Sequence, residues 1–239
     1  MTELGEIVAV PVPLPTSEEE ELKCEYCKED EHPLPGGGDS IGSSSKLRQV
    51  MYPGVSYKDH QWFAGPFALQ AHHLICSEAL DDDDWFALCR DFGYDINCKE
   101  NGVMLPYHMD LACQVAAPLH RSSHAAGEAD SLAYPDKVTD LVEKIKRRAK
   151  NGDFCSNPSG LVDEMNDISE FILKKVDSFA YTLTSDGADY KQGANGCAGA
   201  SSVTGKPNTP CPSDRQHNLK HARTNNVIPT KSQALQIGK

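Results

Sequence analysis

The most regular hydrophobic pattern lies in two stretches of the C-terminal half. In PDKVTDLVEKIKRRAKNG, Val138, Leu141, Val142 and Ile145 form one stripe at helical spacing, Pro135 suits a first turn and Asn151-Gly152 a stop. In SGLVDEMNDISEFILKKVDSFAY, Leu161, Met165, Ile168, Ile172, Val176 and Phe179 repeat that spacing. Two amphipathic helices are predicted, scaffold with no chemistry of their own. DDDDWFALCRDFG predicts a shorter one, with Trp85, Leu88, Cys89 and Phe92 as its apolar set and Gly93 as its stop. Its aspartates, Asp81 to Asp84, sit at the positive end of the helix and are expected to face solvent.

Elsewhere the pattern shortens. WFAGPFALQAHHLIC has the aromatic and apolar density of a strand or hairpin arm. YDINCKENGVMLPYH predicts a turn at Asn101-Gly102 feeding a strand from Val103 to Leu105, stopped by Pro106. The ends read differently. PVPLPTSEEEE predicts an extended acidic arm, PLPGGGDSIGSSS a flexible linker over residues 33–45, and the stretch after Asp186 little regular structure. This divides the 239 residues into an acidic arm with a CxxC (1–45), a folded domain (46–186) and a basic tail of low hydrophobicity (187–239). No internal repeat is present.

Charge changes the picture by its unevenness. The arm carries eleven acids against two lysines, the tail seven bases against two acids, and the whole chain is at −12. An acidic balance argues against non-specific attraction to nucleic acid, but it permits a site where a metal supplies the positive charge. No stretch approaches the ~20 apolar residues of a membrane span, and the start lacks the pattern of a signal peptide. A protein without membrane attachment or ordinary export is expected. Nine irregularly spaced cysteines do not form a secreted disulfide framework and are expected to be mostly reduced thiols.

Histidines carry the candidate chemistry. His72 and His73 adjoin at the end of an apolar run, and His120 and His124 stand four apart in HRSSH. Adjacent residues on a regular strand point to opposite sides, so His72 and His73 cannot fill one role: one can ligate a metal while the other acts on water or substrate. The four-residue spacing suits two imidazoles on one helical face, as metal binding requires, or an irregular turn before the next helix. Asp95 and Asn97 in YDIN read either as groups orienting a histidine or as turn formers.

QAHHLI, then DINCKENGVMLP, then HRSSHAA ahead of an amphipathic helix resembles the AHH family of the HNH/endonuclease VII superfamily, the ββα-metal or His-Me finger nucleases. The resemblance covers about residues 67–150. It implies an α+β fold with a ββα-metal core, surrounding helices and irregular terminal arms. It also implies a metal-dependent endonuclease hydrolysing nucleic-acid phosphodiesters, DNA before RNA. On the same resemblance His72 is a metal ligand, His73 the general base and Asn101 the central Asn that braces the loop of the base or joins the metal site. His120 and His124 would complete the shell around a divalent ion, whether Mg, Mn, Ni or Zn. Arg121 reads either as a clamp on a phosphate oxygen or as a surface arginine. Similar domains are toxins delivered into the cytoplasm of rival bacteria by contact-dependent or type VI secretion. A cognate immunity protein and a secretion or adaptor protein are therefore the implied partners.

A second metal site is suggested by CEYC and HNLKH. Cys24 and Cys27 with His217 and His221 would make a Cys2His2 structural zinc, with His32 or Cys211 as substitutes. Taken alone, these residues support the rival reading of a non-catalytic zinc-binding interaction module.

Overall fold

Leu69–His73 (β1) and Gly102–Pro106 (β2) pair antiparallel, with His72 opposite Val103 and His73 opposite Gly102. In the computed structural model, residues 23–29, 31–121, 133–184, 196–198, 200 and 205–239 are described. Around the two strands stand five helices: α1 (Ser44–Met51), α2 (Asp83–Phe92), α3 (Met109–Val115), α4 (Tyr134–Lys150) and α5 (Ser159–Asp177). The fold is therefore α+β, and β1, β2 and the following α3 have the order of a ββα core.

The three helices predicted from periodicity are α2, α4 and α5, and their apolar stripes are the faces they bury. Val138, Val142 and Ile145 of α4 join Leu161, Met165, Ile172 and Val176 of α5 in one core with Trp85, Leu88 and Phe92 of α2. Each such side chain contributes roughly 1.5–3 kcal/mol by leaving water. Phe179 lies beyond α5 and packs instead against a small separate core of Met109, Ala112, Cys113, Leu119 and Cys197. A second core holds Leu47, Met51, Trp62, Phe63, Leu69, Met104, Leu111 and Val115, so β1 and β2 lie between two apolar layers.

The acidic run is more than a solvated face. Asp82 caps α2 by accepting from Trp85 N (2.8 Å), and Gly93 ends the helix in the left-handed region. Asp82 also pairs with Lys146 (2.9 Å) and Asp84 with Lys150 (2.6 Å), which docks the start of α2 on α4. These pairs are half exposed and contribute little individually.

Two expectations about the ends change. The Gly/Ser stretch is seamed to the domain: Asp39 N donates to Tyr94 O, Ile96 N to Asp39 O, and Ser43 caps α1. Composition hid this, because both contacts use backbone atoms that any residue carries. The C-terminal stretch has no helix or ladder among its described residues, as expected, yet it is packed. Ile228 is buried, Ala222 N donates to Phe63 O, Gly238 N to Gly102 O and Met104 N to Lys239 O. Residues 1–22, including the PVPLPTSEEEE stretch, lie outside the described residues.

Candidate active site and metal centres

Strand geometry separates the two histidines. His72 is 1% exposed and His73 9%, and their neighbours come from different elements. The His72 ring lies 4.5 Å from that of His120, centroid to centroid, and its Nε2 is 3.1 Å from the Tyr134 hydroxyl. His120 is brought there by the segment after α3, tied back to the strand where His120 N donates to Pro106 O (2.8 Å). His124 falls outside the described residues.

Hydrogen bonding fixes which nitrogen each histidine presents. Tyr134 is fully buried, and burial holds its phenol protonated, well above the ordinary range. Its one proton goes to Leu74 O, so its oxygen can only accept from His72, and His72 must carry its proton on Nε2. The lone pair of His72 is then on Nδ1. Asn97 does the same for His73. Its Nδ2 donates to Ile41 O (3.0 Å) and Asp95 Oδ1 (3.1 Å), so its Oδ1 faces Ser43 N (2.7 Å) and His73 Nε2 (3.2 Å). An amide oxygen only accepts, so His73 Nε2 is the protonated nitrogen and Nδ1 holds the lone pair.

Asn101 sits beneath this site, wholly buried. Its Oδ1 accepts from Ile75 N (2.6 Å), and its Nδ2 donates to Ile75 O (3.0 Å) and Ile96 O (2.9 Å). Its carbonyl accepts from Leu74 N (2.9 Å), and Ser169 Oγ of α5 lies 3.0 Å from Oδ1. The side chain is thus occupied in clamping residues 74–75, immediately after the histidine pair, to 96 and α5. These side-chain contacts all run to the strand end, to Ile96 and to α5. Arg121 lies on the wall of a cleft of about 550 Å³ formed with Tyr107, His108, Asp110 and Leu219, its guanidinium 5.8 Å from the centre of the Tyr107 ring.

The donor set fits a divalent cation. Two buried imidazoles from different segments converge at His72 and His120, and imidazole suits Zn or Ni better than Mg or Mn, which prefer oxygen donors.

The predicted Cys2His2 set is not formed. Cys24 and Cys27 meet His32 and Cys155, while His217 meets Cys113, Cys197 and Cys211; in each group the four ligand atoms lie within 4.8 Å of one another. His221 belongs to neither. Its Nε2 is 3.2 Å from His60 O, and its Nδ1 accepts from Arg223 N and Thr224 N, so it holds a turn. His32 and Cys211, named as substitutes, are members of different groups. In the first group burial opposes charge on Cys24, but N–H groups of Cys27 and Tyr26 and the thiols of Cys27 and Cys155 outweigh it and lower its pKa; burial first, then the sulfurs of Cys24 and Cys27, raises Cys155.

Tyr134, Cys113, Cys155 and Cys197 were not singled out from the sequence. Tyr134 carried a faint signal, a tyrosine just before the N-terminal proline of a predicted helix. The cysteines carried none, because their partners are up to 131 residues away.

Residues 54–172 match the sequence profile of AHH, described as a nuclease family of the HNH/ENDO VII superfamily with conserved AHH. No curated protein and no solved structure matches the chain.

Proposed function

Since the chain belongs, over residues 54–172, to the AHH family of nucleases and so hydrolyses nucleic-acid phosphodiesters, we propose that it is a DNA endonuclease in which His73 is the general base. The observation that carries this is the Asn97 amide held against His73 Nε2, which leaves the basic lone pair on Nδ1. In that tautomer His73 takes a proton from water at Nδ1 and passes the resulting charge to a ring already anchored by an amide oxygen. A nucleophile drawn from water needs no 2′-hydroxyl, so DNA suffices as substrate.

His72 and His120, with His124, are the residues that would hold a divalent cation. When bound it would stabilise charge on a phosphate oxygen and on the departing 3′ oxygen. Neutral imidazoles leave that cation's charge undiminished, which offsets the acidic balance of the chain. Arg121, on the cleft wall beside His120, binds a phosphate oxygen of the flanking strand. Asn101 and Tyr134 hold the strand end and the His72 tautomer.

The biological setting that fits is an antibacterial toxin delivered by a secretion system into a target-cell cytoplasm, with an immunity protein and an adaptor as partners. What supports it is the family resemblance alone. No helix among the described residues is long and apolar enough to cross a membrane.

Purified protein incubated with plasmid or RNA, with Mg, Mn, Ni or Zn and with chelator, tests the chemistry beside His73→Ala. Cleavage of plasmid that chelator and His73→Ala both abolish is expected. A His73→Ala variant as active as wild type would sink the assignment of the base, and cleavage of RNA alone the choice of DNA. Host cells should tolerate His73→Ala and not wild type; equal tolerance counts against the toxin reading.

A further inference from the structure

We propose that the chain binds two structural zinc ions, one through Cys24, Cys27, His32 and Cys155 and one through Cys113, Cys197, Cys211 and His217. Both sites are distinct from the histidine centre. The distances support this. Zinc at about 2.3 Å from sulfur and about 2.0 Å from nitrogen, in a tetrahedron, separates two sulfurs by about 3.8 Å and a sulfur from a nitrogen by about 3.5 Å. Cys24 and Cys155 sulfurs are 3.7 Å apart and those of Cys197 and Cys211 4.0 Å apart. His217 Nε2 is 3.0 Å from Cys197 Sγ and 3.5 Å from Cys211 Sγ. A disulfide would need about 2.05 Å, and none of the nine cysteines is disulfide-bonded.

Each group supplies three sulfurs and one imidazole, a full set of four that leaves no open position for substrate. Both groups also have a backbone built for close approach. Cys24 and Cys27 lie on one tight turn, closed by Lys28 N donating to Cys24 O (3.1 Å) and Cys24 N to Glu29 O (2.9 Å). A Cβ on Gly152, which has φ +81°, would stand 2.5 Å from Cys27 Cα; one on Gly196 would stand 2.6 Å from Cys211 Cα. Glycine at these two places lets the connection between α4 and α5, and residue 196, reach the sulfur-bearing turns.

Placement gives the two ions different tasks. The first fastens the turn bearing Cys24 and Cys27, and His32, to the connection between α4 and α5. The second fastens Cys197, Cys211 and His217 to α3, where Cys113 and Cys197 share a small core with Leu119, next to His120. It is therefore a positioning element for the segment that delivers His120, and it rests on the nuclease reading only for that consequence.

The test is zinc content of the full chain, expressed with zinc and desalted against EDTA. Two zinc ions per chain are expected, with one in Cys155→Ser, one in Cys211→Ser and none in the double variant. His217→Cys, which restores a four-ligand set, should keep two, whereas His217→Ala should keep one. Wild type grown with cobalt should show intense sulfur-to-cobalt charge-transfer absorption, which histidine ligands cannot give. This readout stands even if a serine variant fails to fold. His73→Ala should retain both ions, so a failed nuclease assay and a failed zinc assay are distinguishable. Fewer than two zinc ions in wild type, serine variants that keep both, or cobalt protein without charge-transfer bands would overturn the proposal.

Discussion

The strand end bearing His72 and His73 and the two cysteine-rich groups are both gatherings of metal-ligating side chains, but they are built on opposite principles. The histidines stand on a paired strand, and each ring is set by a neutral hydrogen-bonding group, Tyr134 or Asn97. The cysteine groups draw on turns and irregular segments, with Cys113 of α3 the exception, and each offers four ligand atoms. A saturated set of soft ligands holds itself together once an ion is present. A reactive centre must keep open positions, so its ligands need support from outside the metal. On the proposed assignments, Asn101, Asn97 and Tyr134 supply that support to the histidines, and the four-ligand groups need no equivalent brace.

Substitution of His73 breaks the comparison most sharply. His73→Ala should lower the cleavage rate by about 10²- to 10⁴-fold, the range of a lost general base, with thermal midpoint and metal content unchanged. A comparable fall in midpoint would show that His73 is structural instead. Asn101→Ala comes next. It leaves the buried Ile75 and Ile96 polar groups without partners and should cost about 3 kcal/mol of stability in urea unfolding, at roughly 1–3 kcal/mol for each orphaned group. A loss under ~1 kcal/mol would mean that α5 and the strand end are joined by packing alone.

Tyr134→Phe is gentler, since shape and burial are kept. The His72 proton loses its acceptor, so metal affinity at the histidine centre, read by isothermal titration, should fall about 10- to 100-fold. Unchanged affinity would remove Tyr134 from the account of the tautomer.

The smallest effect lies outside both kinds of site. Burial, then the nearby charge of His221, pushes His60 down to about 4 from an ordinary 6.5. The unfolded chain therefore binds a proton between those values that the folded chain refuses. The stability associated with neutral His60 is complete above pH 6.5 and lost as pH falls toward 4. Because the residue is only half-buried by surface area, roughly 1–2 kcal/mol is expected. Urea midpoints at pH 7 and pH 5 should differ less in His60→Gln than in wild type; equal differences would count against it.

Legibility in the sequence followed locality. α2, α4 and α5 announced themselves because their stripes, capping aspartate and stopping glycine lie within one helix length. β2 was marked by Asn101 before it and Pro106 at its end, although Gly102, expected in the turn, is its first residue. α1 and α3 were not foreseen: each is eight residues or fewer and shows too few turns for a period to register. The histidine pair was visible as a motif, and the possibility that Asn97 orients a histidine was open from the sequence. That its partner is His73 was not, because it depends on how residues 41–43 and 95–97 come together. Pairing CxxC with HxxxH followed motif spacing, whereas the chain keeps the two motifs apart and completes each group with residues distant in sequence. Cys155 and Cys113 look like ordinary apolar helix or turn residues until their neighbours are placed.

The contacts of residues 238 and 239 with β2 have a further consequence. Gly238 N–H and Lys239 C=O cover the outward backbone groups of Gly102 and Met104. A two-stranded sheet exposes an edge on which a strand from another molecule could add, the usual first step of β-aggregation. Here that ladder is already taken by the chain itself, so deleting these two residues should leave the nuclease folded but prone to self-association at high concentration.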